Sequence, residues 1–298
     1  MNNQYTTISF PFFGIEWDPI RVLEIGPLSL HLYGLIIGLG LMLAILYGWK
    51  RSREFGIKTD DITDGVLYIV PFAILCARVY YCIFQWEDGG YAANPISILY
   101  IWEGGLAIYG GVIGAVVGVA VFCWFKKIKL PALLDLVLLG FLIGQSIGRW
   151  GNFFNREAFG AETEIFIKMG LENKYTGQVT YHHPTFLYES LWNAAGLVLL
   201  HFLSKKRQYD GQIALGYVLW YGLGRTFIEG LRTDSLMWGP FRVSQILAGV
   251  TAIAASVVLF VLSTRRHDPE KLFVNQVAAA EAEKAEDEEE ESENTTED

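Results

Sequence analysis

Residues 105–125 read GLAIYGGVIGAVVGVAVFCWF and contain no charged side chain. A helix needs about 20 mostly apolar residues to cross the hydrocarbon core of a bilayer. This stretch is long and apolar enough to do so, and Lys126 and Lys127 follow it directly. We therefore predict a membrane-spanning helix here.

Six further stretches have a similar length and character, some of them with polar interruptions. The seven predicted spans are 28–48, 66–84, 105–125, 131–149, 186–204, 212–231 and 243–264. Of the 298 residues, 52% are hydrophobic and only 18% are charged, whereas a soluble domain has about 25% charged residues. This composition argues against a soluble enzyme, a disordered regulator, a disulfide-rich secreted module and a basic nucleic-acid-binding protein.

Clusters of lysine and arginine follow spans 1, 3, 5 and 7. They are Lys50, Arg51, Arg53 and Lys58; Lys126, Lys127 and Lys129; Lys205, Lys206 and Arg207; and Arg265 and Arg266. The positive-inside rule places such clusters in the cytoplasm. The sequence therefore predicts an all-α polytopic membrane protein with seven transmembrane helices, its N-terminus outside and its C-terminus cytoplasmic.

The sequence predicts a seven-helix transmembrane catalytic domain over residues 28–264, which contains a small head, and one flanking segment on each side of it. Residues 1–27 are predicted to form an amphipathic arm on the outer side. The polar segment of about 150–185, between spans 4 and 5, predicts a small extracytoplasmic head, because a loop of that length usually has a function or structure of its own. Residues 265–298 read as an acidic, disordered cytoplasmic tail, whose last eighteen residues contain eleven acidic side chains and one lysine.

Several charged residues fall inside or at the ends of the predicted spans. A charge at bilayer depth costs at least ~2.5–3.5 kcal/mol on insertion scales, so such residues usually face an interior cavity and often mark function. They are Arg78 in span 2, Arg149 at the end of span 4, Glu189 in span 5, Arg225 and Glu229 in span 6, and Arg232 after it. Two alternatives stay open, namely a structural Arg225–Glu229 ion pair and side chains that reach the interface from a helix end.

The junction between span 4 and the head is the richest polar stretch. Residues 148–160 read GRWGNFFNREAFG, with two arginines and two asparagines among three glycines. Glycine lets a backbone approach a ligand closely, and arginine offers a planar fork of donors that suits phosphate. A second polar element, residues 102–111, places Tyr109 at the start of span 3. Tyr109 is a candidate hydrogen-bond donor or proton-transfer group, or else an interfacial aromatic.

These motifs together resemble the prolipoprotein diacylglyceryl transferase family. The most specific match is the stretch from Gly148 to Glu157. Weaker matches follow in the family's order over residues 20–264: Gly26-Pro27-Leu28 with Tyr33-Gly34, Ala77-Arg78, Gly104-Gly105 through Gly110-Gly111, His183-Pro184 with Leu187-Tyr188-Glu189, Tyr221-Gly222 with Arg225, Glu229 and Arg232, and Gln245-Ile246-Leu247.

The resemblance implies transfer of the sn-1,2-diacylglyceryl group of phosphatidylglycerol to the lipobox cysteine thiol of preprolipoproteins. The implied products are a thioether and glycerol 1-phosphate, in the first step of bacterial lipoprotein maturation at the outer face of the cytoplasmic membrane. It implies no metal and no organic cofactor. The implied partners are phosphatidylglycerol, preprolipoprotein signal peptides with a lipobox cysteine and membrane lipid, with no nucleic acid.

The resemblance also implies a set of site residues. Arg149 corresponds to the family's essential phosphatidylglycerol-binding arginine and Arg225 to a second essential arginine, so both are candidate catalytic residues with Glu229 and Tyr109. The candidate phosphatidylglycerol-binding residues are Arg149, Asn152, Gly151, Gly160, Glu157, Tyr33, Arg78, Glu189 and Arg232. Many members have a histidine where this chain has Tyr109, and a tyrosine with a pKa near 10 is a poor base at neutral pH.

Two other classes of function remain as alternatives. An intramembrane Arg/Glu pair could bind an anion in transit, as in a lipid or anion transporter or flippase. Transporter folds often contain two related halves, and we find no such repeat between spans 1–3 and 5–7. The other alternative is a structural membrane component with buried ion pairs. The cluster of arginine, asparagine and glutamate next to the head argues against it.

Overall fold

The computed structural model describes residues 4–26, 28–87, 89, 91, 94–101, 104–233 and 235–296. Three residues of the predicted motifs, Pro27, Trp102 and Glu103, lie outside the described residues. Residues 1–3 of the predicted arm and residues 297–298 of the predicted tail also lie outside them.

Long helices dominate the described chain. They are α1 (Leu32–Arg51), α2 (Thr59–Phe84), α3 (Ile108–Lys126), α4 (Leu130–Asn155), α5 (Thr185–Ser204), α6 (Gln212–Glu229), α7 (Val243–Ser263) and α8 (Phe273–Thr296). Six of them are long and apolar enough to cross a membrane, namely α1 with the short turn after it, α2, α3, α4, α5 and α7. A mostly helical, multi-pass membrane protein is thereby confirmed.

Helix α6 occupies the sixth predicted span but is not among those six helices. Its 18 residues include Gln212, Arg225 and Glu229, which lower its apolar content. The count of seven spans therefore stays a prediction.

Short strands accompany the helices. They are β1 (Tyr5–Phe10), β2 (Ile15–Trp17), β3 (Val22–Ile25), β4 (Leu28–His31), β5 (Met169–Asn173), β6 (Val179–His182), β7 (Met237–Trp238) and β8 (Phe241–Arg242). An antiparallel sheet has the order β2-β1-β5-β6, while β3 pairs with β4 and β7 with β8. The predicted amphipathic arm and the predicted head are joined in one sheet, because β1 of the arm pairs directly with β5 of the head.

The sheet of the head has a small apolar core. Ile8 of β1 faces Leu171 of β5 in the register of the two strands, and both side chains are buried. Phe153 near the end of α4 and Phe186 at the start of α5 pack into the same cluster. Apolar burial is worth about 25 cal/mol per Å², so this core fixes the sheet against the ends of the two helices that carry Arg149 and Glu189.

The chain forms two compact units. The first comprises Met1–Tyr47 and Asp135–Pro269, and the second comprises Gly48–Leu134 and Glu270–Asp298. In the second unit, α8 is helical where the sequence analysis predicted disorder. Alanine and glutamate have high helix propensity, and its first residue, Phe273, is buried.

Helix α3 packs closely on α2 within the second unit. A Cβ atom added at Gly110 would lie 2.5 Å from the carbonyl oxygen of Cys76, and one added at Gly114 would lie 2.6 Å from the Cβ of Cys76. Small residues at a spacing of four let helix backbones approach in lipid. The glycines of α3 therefore set the distance between the two helices.

We expect Gly114→Ala to lower the thermal unfolding midpoint in detergent, because the new methyl group has no space between α3 and α2. Overpacking of this kind typically costs ~1–3 kcal/mol. The matched control is Gly38→Ala on α1, where an added Cβ meets no heavy atom of the described residues within 4 Å outside its own helix. Equal midpoints for the two variants would contradict the close packing.

Candidate active site

The end of α4 meets the start of α5 through an ion pair. Nη2 of Arg149 lies 2.6 Å from Oε2 of Glu189. Nη1 of Arg149 donates a hydrogen bond of 3.3 Å to Oδ1 of Asn152, one turn further along α4. The guanidinium of Arg149 is thus held between Asn152 on its own helix and Glu189 on α5.

Helix α6 brings a second arginine to the same carboxylate. Nη1 of Arg225 lies 3.3 Å from Oε1 of Glu189, and its Nη2 lies 2.6 Å from Oε2 of Glu229. The Arg225–Glu229 pair predicted from the spacing of four therefore forms. Because Arg225 also contacts Glu189, it belongs to a network across two helices and is more than a pair within one.

A third arginine completes the network. Nη1 of Arg232, just after α6, lies 3.4 Å from Oε1 of Glu189, and its Nε lies 3.9 Å from Oε2 of Glu229. Ser244, at the start of α7, donates a hydrogen bond of 2.6 Å to Oε1 of Glu229. We call Arg149, Glu189, Arg225, Glu229 and Arg232 the arginine–glutamate cluster.

The burial of this cluster is uneven. Glu189 and Glu229 are 4% and 1% exposed, whereas the side chains of the three arginines keep 24%, 18% and 11% of their surface. Three cations and two carboxylates give these five residues a net charge of +1. The carboxylates act as a buried scaffold, and the cluster presents positive charge on its accessible side. This arrangement suits an anionic group.

Glu157 holds the asparagines of the signature stretch. Its Oε1 accepts hydrogen bonds from Nδ2 of Asn152 at 3.0 Å and from Nδ2 of Asn155 at 3.2 Å. Asn152 therefore links Glu157 to Arg149 by one amide group. Its orientation is fixed at the edge of the cluster, where it can contact a bound polar group.

Two of the predicted glycines are needed for close contacts. A Cβ at Gly151 would lie 2.7 Å from Cδ2 of Tyr33, so the tyrosine ring packs directly against the α4 backbone. A Cβ at Gly160 would lie 2.7 Å from the Cβ of His183 and 2.9 Å from the carbonyl oxygen of Leu231. Gly160 also forms an isolated β-bridge with Arg232. Gly160 thereby joins the head to the segment that carries the third arginine.

Histidines lie beside Gly160. Nδ1 of His182 contacts the Gly160 carbonyl oxygen at 3.0 Å, and the Gly160 amide donates to the His183 carbonyl at 2.9 Å. Burial, and then the neighbouring His182, lower the pKa of His183 below its ordinary value. The neutral imidazole is therefore favoured in the folded protein.

Arg156 has a structural role that sequence reasoning did not find. It is 6% exposed and donates to the carbonyl oxygens of Pro19 at 2.8 Å and of Thr6, and to the Asp18 carboxylate. Burial lowers the pKa of its guanidinium, which the Asp18 carboxylate opposes. Arg156 thus ties the N-terminal strands to the end of α4. Its place in the signature stretch gave no signal of this role.

Arg242 is another arginine with a positioning role that the sequence analysis missed. It donates to the carbonyl oxygens of Gly230 at 2.8 Å and of Arg232 at 3.1 Å. These bonds brace the turn between α6 and the β7–β8 hairpin. The only sequence signal was its place before α7, so its backbone acceptors could not be inferred.

Arg78 and Tyr109 belong to the second unit and are described there. Arg78 is 4% exposed and donates to four backbone carbonyl oxygens, those of Ser97, Ile98, Gly104 and Gly105, at 2.7 to 3.0 Å. It therefore holds the loop that leads into α3. Tyr109, in the first turn of α3, is 64% exposed, and its ring lies 6.5 Å from that of Tyr80.

Among the described parts of the chain, no group of three or more His, Cys, Asp or Glu side chains could hold a metal ion. The polar atoms of the cluster are arginine donors facing carboxylates, and this set suits an anion.

The fold and the site define a multi-pass helical membrane protein with an arginine–glutamate cluster where its helices meet a small β-sheet. The sequence model of the family described as prolipoprotein diacylglyceryl transferase matches residues 20–262. The chain belongs to this family.

Curated relatives agree with the family match. The chain is 40% identical over 260 residues to a phosphatidylglycerol–prolipoprotein diacylglyceryl transferase of Bacillus cytotoxicus, covering 85% of this chain and 95% of the relative. Proteins of the same name from Bacillus cereus and Bacillus anthracis are 41% and 42% identical to it, covering 85% and 87% of this chain and 94% and 96% of the relatives.

We expect Glu189→Gln to lower the thermal unfolding midpoint strongly, because three arginines would lose their shared carboxylate. Removing one partner of a buried ion pair costs about 3–5 kcal/mol. The control is Glu164→Gln, whose side chain is 82% exposed in its pair with Lys168. Exposed pairs contribute roughly 0–1 kcal/mol, so a similar drop in both variants would contradict the buried scaffold.

The depressed pKa of His183 predicts a dependence of stability on pH. The unfolded chain binds a proton at His183 below about pH 6.5, whereas the folded protein resists it, so stability falls as the pH drops below that value. We expect His183→Gln to reduce the fall in unfolding midpoint between pH 7.5 and pH 5, each about one unit or more from that value. The control is His31→Gln, at an exposed position, which should leave the fall unchanged. Identical pH profiles of the wild type, His183→Gln and His31→Gln would contradict the prediction.

Proposed function

We propose that this chain transfers the sn-1,2-diacylglyceryl group of phosphatidylglycerol to the lipobox cysteine thiol of preprolipoproteins. The reaction forms a thioether and releases glycerol 1-phosphate. The observation that carries the proposal is the convergence of Arg149, Arg225 and Arg232 on the buried Glu189. Membership of the family and the names of the Bacillus relatives support the reaction and its two substrates.

The cluster is suited to the leaving group of this reaction. The thiolate sulfur attacks the glycerol carbon that bears the phosphate, a C–S bond forms and the C–O bond breaks. The electron pair of that bond stays on the ester oxygen of the phosphate. The phosphoglycerol group leaves and, with a proton taken up, is glycerol 1-phosphate. Fixed cations that face this developing charge lower the barrier. We assign that role to Arg149 and Arg225, with Glu229 holding Arg225 in place.

The remaining predicted residues take supporting roles. Asn152, held by Glu157, hydrogen-bonds the head group, and Arg232 adds positive charge. Tyr33 and Gly151 shape the backbone surface beside Arg149, and Gly160 fixes the segment of Arg232. Arg78 holds the loop that precedes Tyr109 in the chain and thereby supports the position of Tyr109.

Activation of the thiol requires a proton to leave the substrate cysteine. The thiolate is the nucleophile, and a cysteine thiol has a pKa of about 8.5 that nearby cations lower. We propose that the arginines supply this effect and that Tyr109 positions the head group. The nucleophile belongs to the substrate, so Cys76, Cys82 and Cys123 take no part in the step.

We further propose a location for the reaction. The chain is a seven-span protein of the bacterial cytoplasmic membrane, with α6 as the sixth span and its site toward the outer face. The lysine and arginine clusters after alternate spans support this orientation. The ion pair of Arg225 with the buried Glu229 supports a spanning α6, because pairing lowers the cost of charges at bilayer depth. Residues 1–27, 28–264 and 265–298 would then be the outer arm, the catalytic domain and the cytoplasmic tail.

Purified protein in detergent, given phosphatidylglycerol and a synthetic lipobox peptide, should form thioether-linked diacylglyceryl peptide detectable by mass spectrometry. We expect Arg149→Ala to reduce turnover about 10²- to 10³-fold, the usual effect of removing one group that stabilises transition-state charge. Arg266→Ala, an exposed arginine after α7, is the matched control and should retain full turnover.

Two outcomes would contradict the proposal. Full turnover in Arg149→Ala would remove Arg149 from the phosphate site. A folded wild-type protein that binds phosphatidylglycerol and yields no thioether would favour lipid or anion transport instead.

A further inference from the structure

Trp192 on α5 and Trp220 on α6 form a reciprocal pair. Their ring centroids are 4.4 Å apart and their planes are inclined by 20°. Nε1 of Trp192 donates to the backbone carbonyl of Trp220 at 2.9 Å, and Nε1 of Trp220 donates to that of Trp192 at 2.9 Å. One stacking contact and two directional hydrogen bonds therefore join α5 to α6 at a single crossing point.

Both helices have a glycine that makes room for the pair. Gly196 follows Trp192 by four residues, and Gly224 follows Trp220 by four. A Cβ at Gly196 would lie 2.3 Å from Nε1 of Trp220, and one at Gly224 would lie 2.2 Å from Nε1 of Trp192. Each indole thus fills the space over the other helix's glycine, and the contact requires the same Trp-x-x-x-Gly spacing on both helices.

The pair lies about one helical turn from the arginine–glutamate cluster. Glu189 precedes Trp192 by three residues on α5, and Arg225 directly follows Gly224 on α6. Oε1 of Glu189 and Nη1 of Arg225 are 3.3 Å apart. A helix rises ~1.5 Å per residue, so a slide of one residue between α5 and α6 would move this contact out of hydrogen-bond range.

We propose that Trp192 and Trp220 are positioning residues for the transfer reaction. They fix the axial register of α5 against α6 and thereby hold Glu189 against Arg225. The inference rests on the proposed function, since it concerns the place of a cation that acts on the leaving group. A loosened register leaves the ground-state contacts of the substrate largely intact and misplaces Arg225 when charge develops, so it lowers kcat more than it changes KM.

Trp192→Phe and Trp220→Phe test the proposal, because each keeps an aromatic ring and loses one indole N–H. Trp124→Phe is the matched control, since Trp124 is 75% exposed on α3. Two stacked indoles give an exciton couplet in far-ultraviolet circular dichroism, which reports the pair without reference to activity. We expect both test variants to lose the couplet. Their kcat should fall about tenfold, while the KM for phosphatidylglycerol stays nearly constant. Trp124→Phe should keep both.

A double-mutant cycle separates positioning from general loosening of the protein. Trp192→Phe is combined with Glu189→Asp, which keeps the charge and moves the carboxylate back by one CH₂ group. If the indoles act through Glu189, Trp192→Phe should cost less kcat in the Glu189→Asp background, because the contact that it protects is already displaced. Gly114→Ala, in the other unit, is the control for this cycle. It should change kcat by the same factor in the wild-type and the Glu189→Asp backgrounds.

Either of two results would overturn the inference. One is wild-type kcat in Trp192→Phe and Trp220→Phe despite loss of the couplet. The other is an undiminished effect of Trp192→Phe in the Glu189→Asp background. A wild-type protein that shows the couplet and forms no thioether would contradict the proposed function itself, so the two failures are distinguished by the wild type and the variants.

Discussion

The shared carboxylate of Glu189 is the interaction on which the site depends. It is almost fully buried at the start of α5, and it contacts guanidinium groups from α4, from α6 and from the turn after α6. A buried carboxylate is tolerated only when it is paired. The arginines compensate Glu189, and in return it sets the distances between three cations that would otherwise repel one another. The positive charge of the cluster is thereby concentrated and held in place before any ligand arrives.

The rest of the first unit holds this arrangement in place. The apolar core around Ile8 and Phe153 fixes the head to the ends of α4 and α5. Arg156 and Arg242 donate hydrogen bonds to backbone carbonyl oxygens, and so they fix the N-terminal strands and the turn after α6. Ser244 orients Glu229, and Glu157 orients Asn152. Preorganisation of this kind is what electrostatic stabilisation requires, because groups that must move into place give up part of their effect.

Arginine thus has two distinct uses in this chain. Arg149 and Arg225 pair with carboxylates and keep part of their surface accessible, which suits contact with an anion. Arg78 and Arg156 are almost fully buried and bind backbone carbonyl oxygens, which suits the fixing of loops and strands. The guanidinium group serves both purposes because its five donors lie in one plane and reach several acceptors at once. Residue type and location in a span do not distinguish the two uses.

The sequence by itself determined the helical membrane class, the family and the residues of the cluster. Apolar length sets where helices cross a bilayer, and charges at bilayer depth are costly enough to stand out. The i, i+4 spacing of Arg225 and Glu229 even predicted one contact, because that spacing is local. Only the tertiary structure decided that Glu189 joins three arginines, that β1 pairs with β5, that Arg156 and Arg78 bind carbonyls and that Trp192 faces Trp220. These contacts join residues on different segments of the chain, and the periodicity of one helix or strand carries no information about which partner it will meet.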